Sequence, residues 1–410
     1  MFKRRLFRIL TIIGLAVLGL LGGLVAFASY ASERRHDLAL PAIAADRSPE
    51  GVARGAAIFH TTCEACHRAP TGERASGAPI HDAPAWLGTL HSGNLTSDRT
   101  AGIGALSDGL AARTIRYGVN RDGHWVPMPA YAMSDADLAA VLGFLRSDDP
   151  LFRPDARPAP RTRLSVAGRS LLFLAGVFTP PSRPASIAAP PKAASVDYGR
   201  YLAEGVYQCG DCHSPSFDSA KGQGEGAFAG GIELRNGAGE TIYSPNISRD
   251  EAAGIGRWSR DQFAAAVRSG IRPDGSALGH PMPHFRGADD VEVDALLAFL
   301  RSFPPQATPV QGRSPAVAES PVAAGAQTTT RQTSEPQQNF ERLGCVTCHG
   351  KGAPFEAKLA QASGKPVADV ARWIRNPELY RPGTAMPTFA SVLDEPSALA
   401  LANWIQQGAR

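Results

Sequence analysis

The sequence predicts an all-α chain: three small helical units in tandem behind an N-terminal transmembrane helix. Three observations predict it. All six cysteines fall in a Cys-x-x-Cys-His pattern that occurs three times. A long uncharged apolar stretch follows a basic amino terminus. Two of the three units share an internal repeat that ends in the same amphipathic pattern.

The first element is the terminus. Lys3, Arg4, Arg5 and Arg8 precede an uncharged run from Ile9 to Ser32. As a helix rising about 1.5 Å per residue, Ile9–Tyr30 reaches about 33 Å, enough to cross a hydrocarbon core. The early cations place the amino terminus inside and the rest of the chain outside. An export peptide cleaved near Ala26-Phe27-Ala28 is the competing reading, but its apolar region is normally only about 7–15 residues. An uncleaved anchor over 1–35 is favoured.

The motif copies are Cys63-Glu64-Ala65-Cys66-His67, Cys209-Gly210-Asp211-Cys212-His213 and Cys345-Val346-Thr347-Cys348-His349. This is the attachment signature of c-type haem. The two thiols add across the vinyl groups of one porphyrin, and the histidine becomes the proximal iron ligand. Zinc usually takes two Cys-x-x-Cys pairs per ion, and three pairs do not divide evenly. A redox-thiol motif gives no reason for three copies, and disulfide staples do not demand a histidine after every second cysteine. The expectation is three covalently bound haem c groups.

The sixth iron ligand comes from methionine. The chain has five methionines. Three are followed by proline and lie downstream of one motif each: Met128-Pro129, Met282-Pro283 and Met386-Pro387. Proline stiffens the extended loop that presents the sulfur, and a methionine paired with histidine closes the iron site and raises its potential. The iron ligands expected are therefore His67 with Met128, His213 with Met282, and His349 with Met386. The bland alternative for each methionine is gap-filling in a core. Met133 is a competitor that lacks the proline. His60, His81, His91 and His124 near the first site, and His280 and His284 around Met282, are candidates for bis-histidine ligation. No catalytic residue is assigned.

The domain plan follows: 48–150 as the first haem domain, 195–305 as the second, and 339–410 as the third. The stretch 151–194, rich in proline and arginine, reads as a linker. The stretch 306–338, rich in proline, serine, threonine, glutamine and alanine, reads as a disordered tether. Three such domains account for 410 residues without a separate catalytic fold. A net charge of +4 with both signs interspersed resembles no nucleic-acid stripe.

The repeat aligns Asn94-Leu95-Thr96-Ser97-Asp98 and Ala101-Gly102-Ile103-Gly104 with Asn246-Ile247-Ser248-Arg249-Asp250 and Ala253-Gly254-Ile255-Gly256. A closing helix over Ser134–Arg146 presents Leu138, Val141, Leu142 and Leu145. Its counterpart over Ala288–Arg301 presents Val291, Leu296, Leu297 and Leu300. The third unit lacks the asparagine segment, and its closing helix, about Glu395–Gln407, presents Leu399, Trp404 and Ile405. A domain this small buries little surface unaided, so the haem is expected to form most of its core. The first two units are expected to pack as a rigid pair, with the third free to swing on its tether. A further apolar run, Leu171–Phe178, is too short to span a bilayer. It reads first as packing between the first two domains, and second as a shallow membrane contact or partner groove.

From about Gly51 to Pro305 the chain resembles the triple-haem cytochrome subunit of membrane-bound alcohol, gluconate and related sugar dehydrogenases. The resemblance is carried by Arg200-Tyr201-Leu202, Ile242-Tyr243-Ser244-Pro245-Asn246-Ile247-Ser248, Gly254-Ile255-Gly256-Arg257-Trp258-Ser259 and Pro281-Met282-Pro283, echoed by Asn94-Leu95-Thr96 and Pro127-Met128-Pro129. It implies class I cytochrome c-like haem domains and no catalytic activity of the chain's own. It also implies a periplasmic or membrane-bound dehydrogenase as electron donor, and quinone, an oxidase or another cytochrome as acceptor. The third unit and the retained anchor depart from that family's pattern. The resulting expectation is a relay of single electrons at the inner (cytoplasmic) membrane, amino terminus cytoplasmic and haem domains periplasmic, with no nucleic-acid partner. A subunit of a terminal oxidase complex and a multihaem peroxidase are the alternatives.

Overall fold

The computed structural model describes residues 2–68, 73–80, 83–214, 226–235, 241–274, 278, 281–307, 336–350, 355–377, 380, 386, 389–390 and 393–408. Helix α1 (Phe2–Glu33) is one unbroken rod, and its apolar side chains are exposed along most of its length. Among the described residues it alone is long and apolar enough to cross a membrane. The tether reading falls mostly on 308–335, outside the described residues.

The first unit is built on α2 (Pro49–Thr62) crossed by α5 (Asp135–Leu145). Between them run α3 (Glu64–His67) and α4 (Asp108–Tyr117). Ser134 caps α5 by accepting from the Asp137 N–H, and Leu138, Val141, Leu142 and Leu145 are all buried. The crossing is closer than any side chain permits. A Cβ on Gly55 would lie 2.0 Å from the Ala140 carbonyl oxygen. The second unit repeats the device with α7 (Val196–Arg200) and α10 (Asp290–Ser302), where a Cβ on Gly199 would lie 1.9 Å from the Ala295 oxygen. On α10 Val291 is only half-buried, and Val293 takes the interior position in its place. The phenylalanine trios match as well: Phe59, Phe144 and Phe152 in the first unit, Phe228, Phe299 and Phe303 in the second, all edge to face.

The asparagine segments have the same role in both units. Asn94 Oδ1 accepts from the Thr96 N–H at 2.8 Å, and its Nδ2 donates to the Asp155 carbonyl at 2.9 Å. Asn246 accepts from the Ser248 N–H at 2.8 Å and donates to the Gln306 carbonyl at 2.6 Å. Each asparagine thus ties the chain leaving the closing helix back onto the haem-side loop.

Residues 151–194 do not hang free. β2 (Arg163–Leu164) pairs antiparallel with β1 (Gly88–Thr89), and the Asp135 N–H donates to the Ile187 carbonyl while the Asp135 carboxylate accepts from the Ile187 N–H. The apolar run differs from its first reading. α6 (Val166–Leu174) lies against α1, not between the first two units. Its neighbours are set by the β1–β2 pairing, which carries it to the anchor side of the first unit.

The first and second units share one continuous apolar core, which takes in α8 (Cys209–His213) and α9 (Arg260–Ser269). A second core serves the third unit, made by α11 (Pro336–Arg342), α12 (Cys345–His349), α13 (Glu356–Leu359), α14 (Val367–Arg375) and α15 (Glu395–Gln406). On α15 the fully buried residues are Ala398, Leu401 and Ala402, with Leu399 and Trp404 at the margin. Ile271 of the second unit is buried in that second core. The third unit is thus docked on the second.

Candidate haem sites

Each motif forms one short helical turn, α3, α8 or α12. Residues three apart on a helix share a face, so each turn presents its two sulfurs to the same side. Cys63 ends α2 and opens α3. Gln208, with φ of 50°, and Gly344, with φ of 71°, bend the chain sharply before Cys209 and Cys345.

The three histidines share one hydrogen-bonding geometry. Nδ1–H of His67 donates to the Gly93 carbonyl at 2.8 Å, that of His213 to Pro245 at 2.8 Å, and that of His349 to Phe355 at 3.0 Å. A histidine so tied has its tautomer fixed and its Nε2 lone pair free for a metal. Burial pushes all three rings below their ordinary pKa, against the carbonyl bond, which favours the neutral imidazole. Burial also pushes the first thiol of each motif up, Cys63 to about 11 and Cys209 and Cys345 to about 12. Among the described residues no group of three His, Cys, Asp or Glu side chains converges as a metal cage, and none of the six cysteines is in a disulfide.

The methionines sort by environment. Met128 and Met282 are half-buried against the first core, as are Cys63 and Cys209, and Met386 and Cys345 both lie against the second core. Met133 is 1% exposed inside the first core, and its carbonyl accepts from Arg116. Pro387, His81 and His280 lie outside the described residues. His60 turns its Nδ1 to Glu64 at 2.6 Å, and His284 is pushed down to about 4 by burial and by the Arg286 guanidinium. The donor set fits haem c: paired sulfurs on one face, a tethered imidazole, and a half-buried thioether at the edge of the same core.

Three contacts escaped the sequence. The methionine loop of the first unit reaches the second motif, since Gln208 Nε2 donates to the Ala130 carbonyl at 3.2 Å. Arg54 bridges Asp137 and Glu292 between units. Arg286 donates to the Met386 carbonyl at 2.7 Å. Asp289 and Glu292 form the capping box of α10, in which one Glu292 oxygen accepts from the Asp289 N–H.

Helical turns that present paired thiols and a tied histidine define a c-type cytochrome site. Residues 52–148 match the family described as cytochrome c, so this stretch is a cytochrome c domain. Over 324 residues the chain is 28% identical to the "Alcohol dehydrogenase (quinone), cytochrome c subunit" of Gluconacetobacter polyoxogenes, covering 74% of this chain and 66% of that protein. It is 29% identical to the "Gluconate 2-dehydrogenase cytochrome c subunit" of Pantoea cypripedii, with 70% and 65% covered. It is 26% identical to the "Fructose dehydrogenase cytochrome subunit" of Gluconobacter japonicus, with 71% and 62% covered. The matches thus span just under two thirds of the length of these relatives.

Proposed function

We propose that the protein is a membrane-anchored periplasmic c-type cytochrome with three covalent haem c groups, relaying single electrons from a dehydrogenase partner to the respiratory chain. One observation carries the reading: the same tied-histidine turn occurs three times, each beside a core edge that holds a methionine. In this reading Cys63 and Cys66, Cys209 and Cys212, and Cys345 and Cys348 hold the porphyrins. His67 and Met128, His213 and Met282, and His349 and Met386 hold the irons. When bound, haem c supplies reversible one-electron iron chemistry. The chain's residues fix the imidazole tautomer, exclude water with the phenylalanine trios, and present sulfur from stiff loops.

Domain boundaries of 48–150, 195–305 and 339–410 accompany this reading. α1 crosses the inner membrane, with the amino terminus in the cytoplasm. The donor is a periplasmic or membrane-bound dehydrogenase, as the names of the relatives suggest, and the acceptor is quinone, an oxidase or another cytochrome. Protein made in a host that matures c-type cytochromes should carry three haem masses. Replacing both cysteines of any one motif by alanine should remove one. A dehydrogenase activity should co-purify in mild detergent. A colourless product of bare polypeptide mass defeats the proposal.

A further inference from the structure

We infer that α6, with the adjoining turn Ala85–Leu87, is a second and shallow contact with the bilayer that α1 crosses, and that it seats the first unit on the lipid surface. The inference rests on the reading of α1 as a membrane anchor. Outside α1, nine large apolar side chains are exposed among the described residues. Five of them gather here: Trp86, Val166, Leu171, Leu174 and Val177. Such clustering on one surface marks an interaction site, where scattered singles would not.

The faces of α6 are already divided. One face is closed by the first unit, since a Cβ on Gly168 would lie 2.6 Å from the Leu87 carbonyl oxygen. A second meets α1, where Arg169, the only charged residue of α6, donates to Ser29 Oγ at 3.3 Å. Phe173 and Phe27 line the crevice between the two helices. The remaining face carries Ala167, Leu171 and Leu174, the last two 50% and 65% exposed. Its large side chains are all apolar, and Ser170 alone separates it from the side that meets α1.

Position along α1 decides the occupant. Ser29 lies about 30 Å along the helix from Ile9, the thickness of a hydrocarbon core. Arg169 therefore meets α1 at the outer headgroup boundary. A helix of nine residues is too short to span, but its apolar face suits burial about 5–10 Å into the headgroup–acyl boundary. Trp86, held by the Ser165 hydroxyl donating to its carbonyl at 2.6 Å, stands where interfacial tryptophans collect. The segment that leaves α1 pins the first unit a second time. His36 N–H donates to the Gly123 carbonyl at 2.7 Å and Arg35 Nε to the Asp122 carbonyl at 2.9 Å. Two attachments close to the helix exit, one through α6 and one through Arg35 and His36, hold the first unit against the membrane.

The test uses the full haem-loaded chain in phospholipid nanodiscs, spin-labelled through single substitutions Leu171→Cys and Leu174→Cys. Leu18→Cys on α1 marks lipid, and Arg99→Cys marks water. Labels at 171 and 174 should collide more with dissolved oxygen than with a water-soluble nickel chelate, as at 18, and report a shallower depth. Labels matching position 99 while 18 remains in lipid overturn the inference alone. Labels shielded from both reagents indicate a protein partner and also overturn it. A label at 18 that behaves as in water removes the anchor reading and the inference together.

Discussion

Arg54 Nη1 donates to Glu292 Oε1 at 2.6 Å, joining the first unit to the second across 238 residues of chain. The same guanidinium turns its Nε to Asp137 at 2.8 Å, and the Tyr198 hydroxyl donates to the same Glu292 oxygen at 3.2 Å. Glu292 is fully buried, so its charge has no water to fall back on. Removing one partner of a buried pair costs about 3–5 kcal/mol, largely because the other charge is stranded. Arg54→Ala should lower the denaturation midpoint of the first two units together. Adding Glu292→Gln to it should recover part of the loss. Two separate transitions in wild type would deny that the shared core makes one cooperative body.

The methionines give a sharper contrast. Met128→Ala, Met282→Ala and Met386→Ala should each lower the potential of one site and open a position for carbon monoxide on the reduced protein. Met133→Ala should do neither. As a large-to-small change in a filled core it should cost about 2–5 kcal/mol, read as a drop in melting temperature. A redox titration that moves for Met133 and stays still for Met128 would reverse the assignment.

Acid should loosen the clasp between 151–194 and the first unit. Burial works against ionisation of Asp135, but donors from Ser186, Arg116 and the Ile187 N–H outweigh it and hold the carboxyl below its ordinary pKa. A depressed carboxyl adds stability that is complete above the unfolded value of about 3.9 and is lost as pH falls through the folded value. Proteolysis of the 180–190 stretch should therefore accelerate below about pH 4. In Asp135→Asn it should already be faster at neutral pH and change less on acidification.

Much of this was legible in the chain. The motifs, the closing helices and the paired asparagine segments are local chemistry, written within a few residues. What stayed hidden is long-range. Gly55 and Gly199 read as ordinary helix glycines until the carbonyls of Ala140 and Ala295 appear beneath them. Arg54 precedes its motif as one basic residue among many, and no spacing announces Glu292. The 151–194 stretch has a linker's composition, yet its strand pairs with Gly88–Thr89 through backbone groups that every residue carries. Gly55→Ala is the direct check, expected to destabilise by about 1–3 kcal/mol through overpacking. Equal stability to wild type would show that the crossing relaxes freely.

The docking of the third unit rests on two contacts that differ in kind. Ile271, 3% exposed, contributes an apolar side chain of the second unit to the third unit's core. Arg286 reaches the Met386 carbonyl at 2.7 Å and the His284 ring at 3.3 Å, so one guanidinium spans the methionine loops of two sites. Burying an isoleucine contributes about 1.5–3 kcal/mol, whereas the part-exposed arginine contact contributes less and is sensitive to salt. Ile271→Glu should therefore release the third unit onto its tether, seen as faster rotational motion of a spin label near Glu356 while the first two units are unchanged. Arg286→Gln should leave the unit docked at low salt, yet shift the potentials of the second and third sites, because a cation beside two methionine loops disfavours the oxidised iron at both. A label equally mobile in wild type and in Ile271→Glu would mean that the third unit swings freely already, as its long tether alone suggests.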